Sequence, residues 1–192
     1  TVGLTLQEIG CTASMLDSIF VELPPVLSPF PIEVWPDSGC VTLTVNFTDT
    51  DPSIPLDYSW AFGDGTSSLT DSPSHLYEQV GTFGITVSAA SLGNCPGYIS
   101  FDLPNAVTVL PNPEAGLQVS PTTVELLEPL VTVTSLVSTV NEVSYWMSDG
   151  GSLSSPDGQY IFSDGGTFDV IQTVISPEGC TSTASAEVVV NG

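Results

Sequence analysis

The residues with the most chemistry to offer lie between positions 49 and 77. His75 is the only histidine of the chain, and Asp71, Ser72 and Ser74 lie within four residues of it. A serine, an imidazole and a carboxylate are the parts of a hydrolase triad. Such a site, however, needs the nucleophile facing the base, a carboxylate orienting it and an oxyanion hole. Neighbours along a chain do not supply that geometry, and no G-x-S-x-G elbow is present. No catalytic residue is therefore assigned, and an enzyme is not expected. Gly63-Asp64-Gly65 invites a phosphate-loop reading, but no Lys follows it and no helix opens after it. Asp-Gly is a favoured turn pair, so a hairpin corner is expected there. Asp49, Asp51 and Asp57, with Asp64 further on, are the candidate oxygen ligands for Ca²⁺; their spacing is not that of an EF-hand loop, and a solvated acidic loop is the alternative. No other cofactor is implied.

Four cysteines, at 11, 40, 95 and 180, contain no C-x-x-C pair. That argues against zinc and thioredoxin-like redox chemistry and for disulfides formed outside the cytosol. Asn46-Phe47-Thr48 fits the N-x-[ST] acceptor pattern but falls in the middle of a strand-like run.

The elements that position these residues must hold together with almost no cationic help. The 192 residues carry 22 Asp and Glu, no Lys or Arg and a formal net charge of −22. Nucleic-acid binding and attachment to anionic bilayers both depend on cationic side chains, so neither is expected. No apolar run is long enough for a membrane-spanning helix, and membrane insertion is not expected either. Stability must come from apolar burial, β-ladders and disulfides, with no Lys or Arg salt bridge. The acidic surface repels its own copies and attracts divalent counterions.

The sequence repeats. "DYSWAFGDG" (57–65) returns as "VSYWMSDGG" (143–151), with Trp60 and Trp146 at an interval of 86. Phe83 and Phe168 differ by 85, as do Cys95 and Cys180, and Cys11 precedes Cys95 by 84. A period of this size is one small domain. Residues 1–26 then read as the last strands of a preceding repeat, 27–111 as a complete domain and 112–192 as a second, divergent one. Pro-rich joints at 23–31 and 110–116 mark the seams. Within each copy the pattern has period 2, as in "VTLTVNF" (41–47), "TFGITVS" (82–88) and "AEVVV" (186–190), so the chain is all-β. Trp60 and Trp146, on alternating strands, are expected to be core plugs between two sheets. Tyr58, Tyr77, Tyr98 and Tyr145 are the candidates for an exposed aromatic platform, most of them expected to be buried.

W-x-F-G-D-G (60–65), S-P-S-H-x-Y (72–77) and G-T-F-x-I-T-V (81–87) together resemble the PKD domain, an Ig-like antiparallel β-sandwich. "SGCVTLTVNFTDTD" before the Trp and "NC" after the Phe strand resemble the tandem PKD repeats of secreted Bacteroidetes surface proteins, among them gliding-motility-type adhesins exported by type IX secretion. The last repeat departs from the pattern: "WMSDGG" is one residue shorter between Trp and Asp and lacks the Phe, and the Tyr of the H-x-Y step falls at Tyr160 or Phe162 without a His. The resemblance implies tandem sandwiches in a linear array, His75 on the strand leading to Tyr77, and a Cys40–Cys95 bridge. Cys180 is then expected to be a free buried thiol or bonded outside its own unit, since Leu126 stands where its partner would lie. Asp17-Ser18-Ile19 resembles the O-glycosylation acceptor of Bacteroidetes, with Ser18 as the attachment residue.

These readings converge on a non-enzymatic structural or adhesive stalk segment of a large cell-surface adhesin or filament, extracellular or on the cell surface. Its partners would be neighbouring repeats, other copies in a filament, or an extracellular polysaccharide or surface ligand. The alternatives are an accessory spacer or carbohydrate-binding module of a secreted hydrolase, and a filament subunit that polymerises by donating strands from residues 1–26.

Overall fold

Val, Ile, Phe and Thr at every second position, interrupted by Gly, Pro and Asp, make a chain of short strands with one apolar face each. The computed structural model describes residues 31–50, 56–91, 97–138 and 142–192, and the backbone of 5–8 and 11–14. Among the described residues there is no helix. Two units separate, Thr1–Val109 and Leu110–Gly192.

In the first unit, β1 (Thr5–Glu8) and β2 (Cys11–Ser14) pair antiparallel with each other. The sandwich proper is built from β3 (Ile32–Trp35), β4 (Ser38–Cys40), β5 (Leu43–Asp49), β6 (Leu56–Ala61), β7 (Ser67–Ser68), β8 (Ser74–Tyr77), β9 (Gly81–Ser91) and β10 (Tyr98–Leu110). One sheet runs β4-β10-β9-β6-β7 and the other β3-β5-β8. Alternation places Val45 and Phe47 of β5 on the inner face of the small sheet, and Tyr58 and Trp60 of β6 with Ile85 and Val87 of β9 on the inner face of the large one. They meet in one core.

The second unit has β11 (Leu117–Ser120), β12 (Thr123–Glu125), β13 (Leu130–Ser135), β14 (Glu142–Met147), β15 (Ser152–Leu153), β16 (Asp157–Ile161), β17 (Gly166–Ile175) and β18 (Thr181–Asn191). Its sheets run β12-β18-β17-β14-β15 and β11-β13-β16, which is the strand order of the first unit copied strand for strand. Val131, Val133, Tyr145, Met147, Phe162, Val170 and Val188 form its core. The chain is thus all-β, with two Ig-like sandwiches of one topology, in which antiparallel ladders predominate and the edge strand β12 joins β18 in parallel.

The expectation that Trp146 plugs the second core does not hold. Trp60 is fully buried, whereas Trp146 is 49% exposed. The ladders show why. Trp60 lies opposite Val87 and Ser68, and the residue opposite their counterparts, Gln172 and Leu153, is Tyr145. Tyr145 follows Trp60 by the same offset that separates the two phenylalanines, and it takes the core position with 2% exposure. The Trp-to-Trp interval is one too many, and one residue along a strand is the difference between the two faces. Both core aromatics also use their polar atom alike: Trp60 Nε1 donates to the Thr70 carbonyl (2.9 Å) on the β7–β8 connection, and the Tyr145 hydroxyl donates to that of Pro156 (2.7 Å) just ahead of β16.

The second core contains a polar side chain where the first has Val87. Gln172 is fully buried; its Oε1 accepts from the Gly116 N–H (3.0 Å) and its Nε2 donates to Ser135 Oγ (3.0 Å) and the Tyr145 hydroxyl (3.4 Å). A buried amide satisfied on both sides ties three segments of the unit to one point.

Candidate functional site

The candidate residues of the first unit gather at the β6–β7 corner. After Phe62, Gly63 and Gly65 adopt φ of +82° and +94°, which allows the chain to reverse within five residues and close with an N–H of Phe62 to the Thr66 carbonyl (3.1 Å). A Cβ on Gly63 would run into the Gly84 carbonyl oxygen behind it. The corner is therefore a turn, as the Asp-Gly pair implies. Asp64 folds back on it: Oδ1 accepts from the Thr66 N–H (2.9 Å) and from Thr66 Oγ1 (2.6 Å).

β8 carries His75 to this corner. Its Nε2 lies 2.6 Å from Asp64 Oδ2 and 3.2 Å from Thr66 Oγ1. The imidazole lies flat on Phe62, with ring centres 4.2 Å apart and planes 5° from parallel, and meets Tyr77 edge-on at 4.6 Å. Tyr77 donates to the Phe62 carbonyl (3.0 Å) and contacts Phe83. Among the described residues of a chain without Lys or Arg, the one histidine thus still supplies a charge-capable pair. Although the corner backbone is open, the His75 and Asp64 side chains are only 15% and 19% exposed. Burial disfavours the Asp64 carboxylate, but the hydrogen bonds from Thr66 Oγ1, His75 and the Thr66 N–H outweigh it and hold the carboxyl below its ordinary value. Burial, with the Asp64 charge nearby, pushes the Tyr77 hydroxyl far above the usual phenol range. A recess of about 450 Å³ opens beside these groups, with Glu78 and Phe83 on its wall.

This arrangement is not a triad. In a triad the carboxylate and the nucleophile engage opposite ring nitrogens. Here Asp64 and Thr66 meet the same Nε2, and the Thr66 proton is committed to Asp64. Ser74 is exposed on β8 with its side chain on the opposite face from His75. The cluster closes a corner.

The second unit carries out the same closure with different residues. Asp149, the counterpart of Asp64, accepts from the Gly151 N–H (3.2 Å), and Tyr160, the counterpart of His75, donates its hydroxyl to both Asp149 oxygens (2.9 Å each). Tyr160 meets Phe162 edge-on and Phe162 stacks on Phe168. Phe162, not Tyr160, therefore takes the place of Tyr77.

Of the Ca²⁺ candidates, Asp49 accepts a hydrogen bond from the Tyr58 hydroxyl, Asp57 points outward from β6, and Asp64 is engaged at the corner. Asp51 lies outside the described residues, and among those described no group of three His, Cys, Asp or Glu is placed to hold a metal ion. Cys95 and Ser18 also lie outside them. Cys40 is disulfide-bonded, and so is Cys180, which sets aside a free buried thiol there. Asn46 and Thr48 are exposed on the outer face of β5, in register with Trp35 and Glu33 of β3. Tyr58, Tyr77 and Tyr145 are buried while Tyr98 is 72% exposed. The sequence reading passed over Trp35 and Trp146 as surface aromatics. The signal for Trp146 was the mismatch between an interval of 86 and a period of 85.

Residues 24–97 match the model of the PKD domain. No curated protein matches the chain. Among solved structures it is similar to the fibronectin(III)-like modules of Clostridium thermocellum CbhA, at 14% identity over 84% of this chain and 94% of that one, with a TM-score of 0.39. It is also similar to murine CEACAM1b, at 14% identity over 83% and 98% with a TM-score of 0.36. A two-domain fibronectin type III segment of chicken tenascin aligns at 17% identity over 84% and 98%, with a TM-score of 0.33. Over residues 24–97 the sandwich of the first unit is thus similar to the PKD domain.

Proposed function

We propose that this chain is a non-enzymatic segment of an extracellular stalk, in which successive Ig-like sandwiches space or form the shaft of a surface adhesin or filament. The observation that carries this reading is the duplication itself. Two sandwiches share one strand order, and the aromatic–carboxylate corner recurs one repeat further on with its closing function kept and its residues changed. Selection that keeps the closure and exchanges the His for a Tyr acts on stiffness rather than on reactivity. Disulfides at Cys40 and Cys180 and the absence of any Lys or Arg fit an oxidising, protease-exposed setting. On this reading 27–111 and 112–192 are consecutive repeats, 1–26 ends a preceding one, and Cys40 pairs with Cys95. The resemblance to Bacteroidetes surface proteins would make type IX secretion the export route.

Single-molecule pulling of the full chain between two reference handles tests the proposal. Under reducing conditions it should give two separate unfolding events, each releasing about 250–300 Å, the extended length of some 80 residues at ~3.5 Å per residue. A single event, or extension without a resisting event, would remove the stalk reading. Hydrolytic activity in the same preparation that is lost in His75→Ala would replace it with an enzyme.

A further inference from the structure

Two copies of one fold serve as controls for each other: a side chain the sandwich requires should recur at the equivalent position, and one it does not require need not. Trp146 occupies the place of Ala61. Ala61 pairs with Ser67 and Thr86, and Trp146 pairs with their counterparts in the second copy, Ser152 and Ile171. A small residue satisfies the fold at this point in the first unit, yet the second presents an indole that is half exposed. The Trp146 ring and its N–H engage no described residue in a ring contact or hydrogen bond.

The surroundings differ between the copies in the same direction. In the first unit the outer face of the large sheet is tied up within itself: Thr86 Oγ1 donates to Asp102 (2.7 Å), and Ser88 and Ser100 share a hydrogen bond (2.9 Å). In the second, the corresponding rows pair Ile171 with Ser185 and Thr173 with Ser144 and Thr183. The carboxylate is gone, an apolar side chain stands beside the indole, and among the described residues no side-chain hydrogen bond engages Ser144, Thr173, Thr183 or Ser185. The charged groups on this face, Glu142 at one end and Asp169 with Glu187 at the other, lie beyond these rows. With strands ~4.8 Å apart, the five strands form a floor about 19 Å across.

We propose that this outer face of β14, β17 and β18 binds a neutral polysaccharide, with Trp146 as the stacking residue. A pyranose ring offers an apolar C–H face and a rim of hydroxyls. The first matches an exposed indole flanked by Ile171, and the second matches uncommitted Ser and Thr hydroxyls that both donate and accept. Charge selects among occupants. A chain of −22 with no Lys or Arg offers nothing to a phosphorylated, sulfated or uronic polymer, and a second copy would bring its own −22 to the contact. This site goes beyond the stalk reading and does not depend on it, so failure of one experiment leaves the other intact.

The test is native affinity electrophoresis of the full chain in gels containing β-glucan, xyloglucan, galactomannan or galactan, with alginate and heparin as anionic polymers. At least one neutral polymer should retard the wild type. Trp146→Ala should weaken that retardation at least tenfold, Trp146→Phe should keep part of it, and Trp35→Ala should leave it unchanged. Hydrogen exchange over β14 verifies that Trp146→Ala remains folded. The proposal falls if no neutral polymer retards the chain, if Trp146→Ala behaves as wild type, or if only the anionic polymers bind. It falls equally if sedimentation shows self-association of the wild type that Trp146→Ala abolishes, since the occupant would then be a second copy.

Discussion

Replacing Trp60, Tyr145 and Trp146 by alanine, one at a time, separates the interior from the surface in a way the repeat alone misassigns. Trp60 is fully buried, and an indole that removes ~200 Å² from water is worth about 5 kcal/mol at ~25 cal/mol per Å². After allowing for what alanine still covers, and adding a cavity and an orphaned Thr70 carbonyl, Trp60→Ala should destabilise the first unit by about 3–5 kcal/mol. Tyr145→Ala should destabilise the second unit by about 3–4 kcal/mol, because it empties the equivalent position and takes a partner from Gln172 and the Pro156 carbonyl. Trp146 covers half as much surface, leaves no cavity on an outer face and regains rotamer freedom when removed, so its loss should cost about 1 kcal/mol or less. The assay is native-state hydrogen exchange of the full chain, read on peptides spanning β6 and β14. Protection of β14 should fall about a hundredfold or more in Tyr145→Ala and roughly fivefold or less in Trp146→Ala, since each 1.4 kcal/mol is about tenfold. If Trp146→Ala costs as much as Tyr145→Ala, the register argument is wrong.

Three further outcomes follow from the same contacts. Gln172→Val, which copies the first unit's residue into the second, should destabilise that unit by about 1–3 kcal/mol by orphaning the Gly116 N–H, checked by chemical denaturation; a neutral or stabilising result would show the amide network to be dispensable. Because the folded state holds the Asp64 carboxyl below its ordinary value of ~3.9, its contribution is complete above that value and is lost as pH falls through the depressed one. Asp64→Asn should therefore lower the melting temperature of the first unit at pH 6, with the difference from wild type shrinking toward pH 2; a difference that grows on acidification contradicts the sign. Burial first, and hydrogen bonds to carboxylates for Tyr58 and Tyr160, raise the ionisation of Tyr58, Tyr77, Tyr145 and Tyr160 above the usual phenol range. Stability present below pH ~10 should then be lost as pH rises further, and absorbance at 295 nm should show Tyr58 and Tyr77 ionising with unfolding rather than before it.

Period-2 apolar runs, the Asp-Gly corner and the aromatic of the H-x-Y step were legible because each depends on residues close in the chain. So was the duplication, whereas the placing of His75 beside a structural tyrosine came from the resemblance to the PKD domain. What Cys180 is bonded to was not legible, because a bond depends on which surfaces meet. The inward face of "SYWM" was misread because indole, the larger and more conspicuous ring, was aligned with indole. The offset set by Phe83 and Phe168 already favoured Tyr145.

The sequence by itself determined that this chain is a duplicated all-β protein whose stability owes nothing to Lys or Arg, since composition and periodicity are properties of the chain alone. Only the tertiary structure decided which aromatic of a neighbouring pair is core and which is surface, and that His75 closes a corner with Asp64 instead of activating a serine. The physical reason is common to both: side chains alternate faces with every residue of a strand, so one step of register, fixed by ladders to strands distant in the sequence, exchanges the interior for the solvent.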